Sequence, residues 1–409
     1  MPQPGSTGVP ALADPSVEPH VSPAGPSSAS GPSSPARPIS PARHSESAAA
    51  QLAFTSYLRV AAIIGVVVIH TAGLTYINDD LRGTGVWWFA AVVTFGVKWA
   101  VPTFVMVSGA LLLNPPADRS AGLFYRRRLS RIGIPLVVWH VVYITLTATL
   151  VMTTVVPSIL IADFLRADSY TGLYFFWLIL GLYLITPLLW PVVAGISRRA
   201  LAVTGAALVA LAAINTSALQ VIGRLGGGIT AAGDPTVFSK FIPFIGFFLL
   251  GYALRDVIVR GRRRLLALAA LTVALSMETL WQVSGGATAM FGVQTANWLN
   301  ILMPVHYQGF VLGASAVAMF VLIRSVAHPE SRWAQPRTAR RARYAGDLAL
   351  GVFATHLLVM FVLLHIPGHE WRSGAKTLPQ LVVLVTATLV GSTALTIVIK
   401  RIPLLRRSV

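Results

Sequence analysis

The chain has 409 residues, of which 55% are hydrophobic and only 11% charged, and its mean hydropathy is +0.70. Soluble domains carry about a quarter charged residues, so water is excluded as the solvent for most of this surface and lipid takes its place. The formal net charge of +18 does not point to nucleic acid, because the basic residues fall in short clusters between apolar runs rather than along one face or domain.

The absence of cysteine excludes disulfides, thiolate catalysis and cysteine-held metal. Backbone groups in hydrocarbon must satisfy one another, so only helices or a closed barrel can span. Apolar runs of roughly 17 to 25 residues select helices over the ten-residue alternation of a barrel. The fold class is therefore an all-α polytopic integral membrane protein.

Residues 1–50 are rich in Pro, Ser, Ala and Gly without an apolar run. Such a segment buries too little to offset its ordering entropy and is expected to be a disordered tail. It has no h-region and is not a signal peptide. From residue 51 to 402 the sequence predicts a membrane domain of about ten spans, at roughly 54–76, 87–113, 132–155, 172–196, 200–220, 238–254, 265–283, 297–323, 345–366 and 378–400. The Ala- and Gly-rich fifth and the short, Pro243-containing sixth carry the weakest signals. Residues 403–409 remain as a short basic tail.

The loops fix an orientation. With the N-terminus inside, the inner connections and C-terminal end hold twenty-two Lys and Arg residues, against five in the outer loops: Arg82, Arg166, Arg224, Arg372 and Lys376. This alternation follows the positive-inside rule and predicts both ends in the cytoplasm of a multi-pass cell-membrane protein. The Ala- and Arg-rich, Lys-poor usage is that of a GC-rich bacterial genome. No fixed-period repeat is visible, nor an inverted pair of interrupted helices.

Ionisable groups at membrane depth are costly and mark functional candidates. Arg59 and His70 share the first span eleven residues apart, which is about three turns and places both on one face, on the order of 16 Å apart. Lys98 sits in the second span and Glu278 in mid-seventh. Each also has a plain structural reading. Arg59 can snorkel to headgroups, His70 can hydrogen-bond between helices, and Lys98 can pair with Glu278. Ser108 reads better as a small packing residue than as a nucleophile, and His140 and His356 as packing residues at span ends. No HExxH, P-loop or GxSxG pattern appears, and no metal is expected.

The Arg59-x10-His70 spacing resembles the signature of the acyltransferase-3 family of membrane acyltransferases. Lys98-Trp99-Ala100-Val101-Pro102, continuing through Phe104 to Ser108-Gly109, is similar to that family's V-P-x-F-x-x-x-S-G segment and the basic residue before it. Tyr125-Arg126-Arg127-Arg128-Leu129-Ser130-Arg131 resembles its inner loop before span three. Phe176-Trp177-Leu178 with Gly181 to Leu189, Gly246 to Tyr252, and Gly351 to His356 resemble its later spans. The family often has His before that Trp; Phe176 stands there, so no catalytic role carries over to it.

The nearest branch resembles the stand-alone surface-polysaccharide O-acetyltransferases. The resemblance implies acetyl-CoA, or another acyl-CoA, as a cytoplasmic donor and no metal. It implies as acceptor a hydroxyl of a glycan, a lipid-linked sugar or a small molecule. Arg59, Arg127, Arg128 and Arg131 would hold donor phosphates, because a guanidinium fork binds phosphate bidentately. His70 would be the general base, its imidazole titrating near neutral pH. Lys98 would steady the thioester oxyanion or orient the acceptor, with Trp177 and Tyr183 towards the acceptor; Glu278, which no family motif covers, is a further substrate-side candidate that would orient His70 or pair with Lys98. The competing class is a transporter or flippase of a glycan or metabolite, relaying protons through buried His, Lys and Glu.

Overall fold

The computed structural model describes residues 41–409 apart from 115–119, 152–155, 225–234, 284–306, 308, 367–370 and 372. The longer helices are α1 (Pro41–Tyr76), α2 (Gly85–Gly96), α3 (Ala100–Leu112), α4 (Ala121–Leu146), α5 (Pro157–Leu165) and α6 (Tyr174–Gly195). They continue with α7 (Arg198–Arg224), α8 (Ile245–Leu254), α9 (Arg262–Val283), α10 (Phe310–Val326), α11 (Pro336–Leu364) and α12 (Leu378–Arg401). Among the described residues no strand is present.

Among the described residues seven stretches are long and apolar enough to cross a membrane: Ala53–Tyr76, Gly85–Leu112, Ala121–Leu150, Tyr174–Gly195, Arg198–Leu219, Pro336–Leu364 and Leu378–Arg401. Ile242–Leu254 and Phe310–Val326 are shorter apolar helices. They coincide with the sixth expected span and the second half of the eighth, whose first half lies outside the described residues. The seventh expected span coincides with α9. Large apolar side chains point outward from several helices, among them Val137, Leu188, Val203, Leu265 and Val390. Such a belt on a soluble protein would drive aggregation; here it faces lipid, in a multi-pass membrane protein.

Hydropathy marks where hydrocarbon ends, not where a helix ends. α4 starts at Ala121 and α11 at Pro336, well before the apolar runs, because arginine is a good helix former. Ser120 caps α4 by accepting from the Leu123 amide at 3.2 Å. Of the tail expected to be disordered over 1–50, residues 1–40 lie outside the described set, and α1 already begins at Pro41.

The second expected span is not one helix. It breaks at Val97–Trp99, between α2 and α3. Pro102 explains the break: it has no N–H for the Lys98 carbonyl four residues back, and its ring crowds that carbonyl. The Trp99 indole N–H takes the Gly96 carbonyl at 2.8 Å, satisfying one group that the break releases.

The core lies where α1, α3, α8 and α10 meet, filled by Leu58, Met106, Phe247, Phe248 and Phe320. α3 and α8 cross backbone to backbone: a Cβ on Gly109 would collide with the Phe248 carbonyl, and one on Gly251 with the Met106 carbonyl. In lipid, where apolar burial drives helix association weakly, such close approach of small residues supplies the packing.

Candidate functional site

A cavity of about 410 Å³ opens at the end of the bundle where Arg59 lies. α1 contributes Thr55, Ser56 and Arg59, α4 contributes Arg128 and Arg131, and α11 contributes Arg343 and Asp347. Tyr183 of α6 and Ser108 of α3 complete its polar lining. Three of the four arginines expected to hold a donor thus line this cavity. Arg127 does not line the cavity, because it precedes Arg128 on α4 and is rotated from it by about 100°.

α1 and α11 come this close because Gly346 has no side chain; a Cβ there would stand 3.2 Å from the Ser56 Cα and Cβ. The Arg59 guanidinium lies 3.7 Å from the Asp347 carboxylate. Asp347 is the only carboxylate side chain among the described residues that line the cavity, so its four arginines leave an excess of three positive charges. Ser108 donates its hydroxyl back to the Phe104 carbonyl at 3.0 Å, which occupies its proton within the helix.

Deeper in, the walls become apolar: Leu111, Ile179, Phe104, Phe175 and Phe353. The Phe104 and Phe175 rings are 5.7 Å apart and the Phe175 and Phe353 rings 5.0 Å. Beyond them Phe353 lies 5.8 Å from the His356 ring, and His356 5.2 Å from His70. The cavity therefore stops at an aromatic layer, and His70 sits behind that layer rather than on the cavity wall.

His356 is fully buried. Its Nδ1 faces the Phe353 carbonyl at 2.7 Å and the Val352 carbonyl at 3.2 Å. Carbonyl oxygens only accept, so Nδ1 carries the proton and Nε2 an unshared lone pair; Nε2 is buried with no hydrogen-bond partner. The Tyr143 hydroxyl donates to the Ala354 carbonyl at 2.8 Å and accepts from the Leu358 amide at 3.0 Å, bracketing His356 from both sides. Tyr170 stacks on Tyr143 at 4.5 Å and belongs to the loop that brings Gly172 over His70. Gly172 has φ +87°, and a Cβ there would stand 3.5 Å from His70 Nε2.

The other expected residues fall elsewhere. Trp177 donates its indole N–H to His140 Nε2 at 3.0 Å, while His140 Nδ1 bonds the Leu136 carbonyl at 2.7 Å. Both imidazole nitrogens and the indole proton are thereby engaged. Tyr183 lines the arginine cavity, not a path from the His70 end. Lys98 lies at the α2–α3 break with its ammonium 4.0 Å from the Phe95 ring centroid. Glu278 lies on α9 where side chains are outside the described residues.

Sequence reading missed Asp347, Tyr143 and the part His356 plays. Only the last carried a signal, a histidine centred in an otherwise apolar run.

No curated protein and no solved structure is significantly similar to the chain. An acyltransferase domain model matches residues 52–397, which takes in α2 to α11 and nearly all of the membrane-crossing parts of α1 and α12. The chain belongs to the acyltransferase-3 family.

Proposed function

We propose that this membrane acyltransferase is an O-acyltransferase that moves an acyl group, acetyl in the first instance, from cytoplasmic acyl-CoA to a hydroxyl on a glycan, a lipid-linked sugar or a small acceptor. The observation that carries the reading is the cavity itself. It gathers Arg59, Arg128, Arg131 and Arg343 at its mouth and narrows to an apolar end one ring from His356 and two from His70. Donor phosphates suit the mouth, and the uncharged pantetheine arm with its apolar acyl end suits the interior. With Arg59 on the positive-inside face, the donor enters from the cytoplasm. The acceptor approaches His70 from the far side, beneath the Gly172 loop. Ten spans with both ends inside complete this topology.

In the reaction, neutral His70 takes the proton of the acceptor hydroxyl as its oxygen attacks the thioester carbonyl. The tetrahedral adduct collapses with cleavage of the C–S bond, and the imidazolium returns its proton to the departing thiolate, releasing CoA. For the acyl carbon to reach His70 the aromatic layer must open, so rotation of Phe175 or Phe353 belongs to the cycle.

The test is to reconstitute the purified protein with labelled acetyl-CoA and a panel of glycan and small hydroxylated acceptors, following free thiol and acyl transfer together. Acceptor-dependent thiol release with stoichiometric acylation is expected. A protein that carries an acceptor across the membrane and releases no thiol is a transporter, and the proposal falls.

A further inference from the structure

Next to the arginine cavity, sharing Arg131, Asp347 and Leu350 with it, lies a second chamber of about 450 Å³. Its remaining walls are Ser130, Lys400, Arg406, Arg407 and Val409. In sequence, residues 403–409 are a basic tail that ends in water. The structure folds them back. The Leu405 and Arg406 amides donate to the Ile402 carbonyl, and the Trp139 indole N–H of α4 donates to the Ser408 carbonyl at 2.8 Å. Ser408 is buried and Val409 packs on the core. A buried tryptophan thus anchors the segment, and Arg406 and Arg407 are held at the chamber instead of trailing from the membrane.

The chamber's charge is one-sided. Arg131, Lys400, Arg406 and Arg407 outnumber the carboxylates at the wall, which are that of Asp347, lying towards Arg59, and the backbone terminus of Val409. The Lys400 ammonium donates to the Asp347 backbone carbonyl at 2.7 Å and shares the single Asp347 carboxylate with Arg59. Four gathered cations with little compensation attract a polyanion.

The two chambers differ in chemistry as the two ends of the proposed donor do. The first narrows between phenylalanines, as an acyl-pantetheine arm requires. The second has only Leu350 and Val409 as apolar walls, and a phosphorylated nucleotide needs cations and room. We infer that the second chamber binds the 3′-phosphorylated adenosine diphosphate end of acyl-CoA, with Arg406 and Arg407 on the 3′-phosphate and Arg131, at the junction, on the pyrophosphate. Paired guanidinium forks give such a phosphate several charge-assisted hydrogen bonds at once. The inference rests on the acyl-CoA donor reading above.

Binding of CoA and of dephospho-CoA, which lacks only the 3′-phosphate, tests it on the full chain in detergent. The wild type is expected to bind CoA about tenfold or more tightly than dephospho-CoA, a difference of one good charged contact. The Arg406→Gln/Arg407→Gln variant is expected to bind the two alike, with its dephospho-CoA affinity unchanged; that unchanged affinity shows the site still folded. Discrimination that is absent in the wild type, or that survives in the variant, overturns the inference while leaving the donor reading intact. A wild type that binds neither ligand overturns both.

Discussion

The imidazole rings of His70 and His356 lie 5.2 Å apart, tilted by 47°, on two helices whose residues are 286 positions apart in sequence. His356 has its Nδ1 proton tied to backbone carbonyls and its Nε2 lone pair buried without a partner. A buried acceptor left unpaired costs about 1–3 kcal/mol. A proton-bearing His70 is the neighbour able to supply what is missing.

His356→Phe keeps a flat ring in the space and removes the lone pair. The account expects turnover to fall at least about tenfold, within the range general-base contributions span, while acyl-CoA affinity is retained. Unchanged turnover in a folded His356→Phe protein would return His356 to a packing role.

Tyr143→Phe removes the hydroxyl that bridges Ala354 and Leu358 around His356. Those two groups can then bond each other along the helix, so the stability cost is small, about 1 kcal/mol. Turnover is expected to drop more than this cost suggests, because the turn carrying His356 is no longer pinned. A thermal melt and a turnover assay on the same preparation separate the two effects.

At the mouth, Arg59→Lys keeps the charge and loses the planar fork. Acyl-CoA affinity is expected to weaken about tenfold, or 1.4 kcal/mol, with little change in the rate at saturating donor. Titration calorimetry with acetyl-CoA reads the difference, and an unaltered affinity contradicts the donor assignment of Arg59.

Phe175 and Phe353 close the cavity, so ring size there limits the acyl chain. Phe175→Leu opens the layer at modest cost, about 1–2 kcal/mol for a change between apolar side chains. The ratio of octanoyl-CoA to acetyl-CoA turnover is expected to rise; a ratio equal to the wild type's shows that the layer does not select.

Gly109→Ala drives a methyl into the Phe248 carbonyl on α8, where backbone cannot yield. Overpacking of this kind costs about 1–3 kcal/mol or more, and the α3–α8 crossing is expected to fail in a melt, whereas Gly122→Ala, on helix α4 with open space around its Cβ position, is expected to hold or slightly raise stability through helix propensity.

The membrane class and the positions of most spans were legible because burial in lipid writes itself into hydropathy. Arg59, Arg128 and Arg131 were legible as a group through cluster and spacing, and the cavity does bring them together. What stayed hidden depends on which faces meet in three dimensions. Asp347 reads in sequence as one more polar residue before an apolar run, and only the α1–α11 crossing brings it to Arg59. Tyr143 matters through two backbone atoms of a helix that sequence gives no reason to pair with it. The family resemblance puts Trp177 towards the acceptor, but its indole proton is spent on His140. The α2–α3 break was written in Pro102, four residues after Lys98, and is overlooked when a hydrophobic run is counted as one helix.

The most direct test of the central claim is a single-turnover experiment with labelled acetyl-CoA and a competent acceptor, comparing wild type with His70→Ala. The variant is expected to fold and to bind acetyl-CoA as the wild type does, yet to release no thiol and acylate no acceptor. Near-normal transfer by His70→Ala, per mole of purified protein, contradicts it.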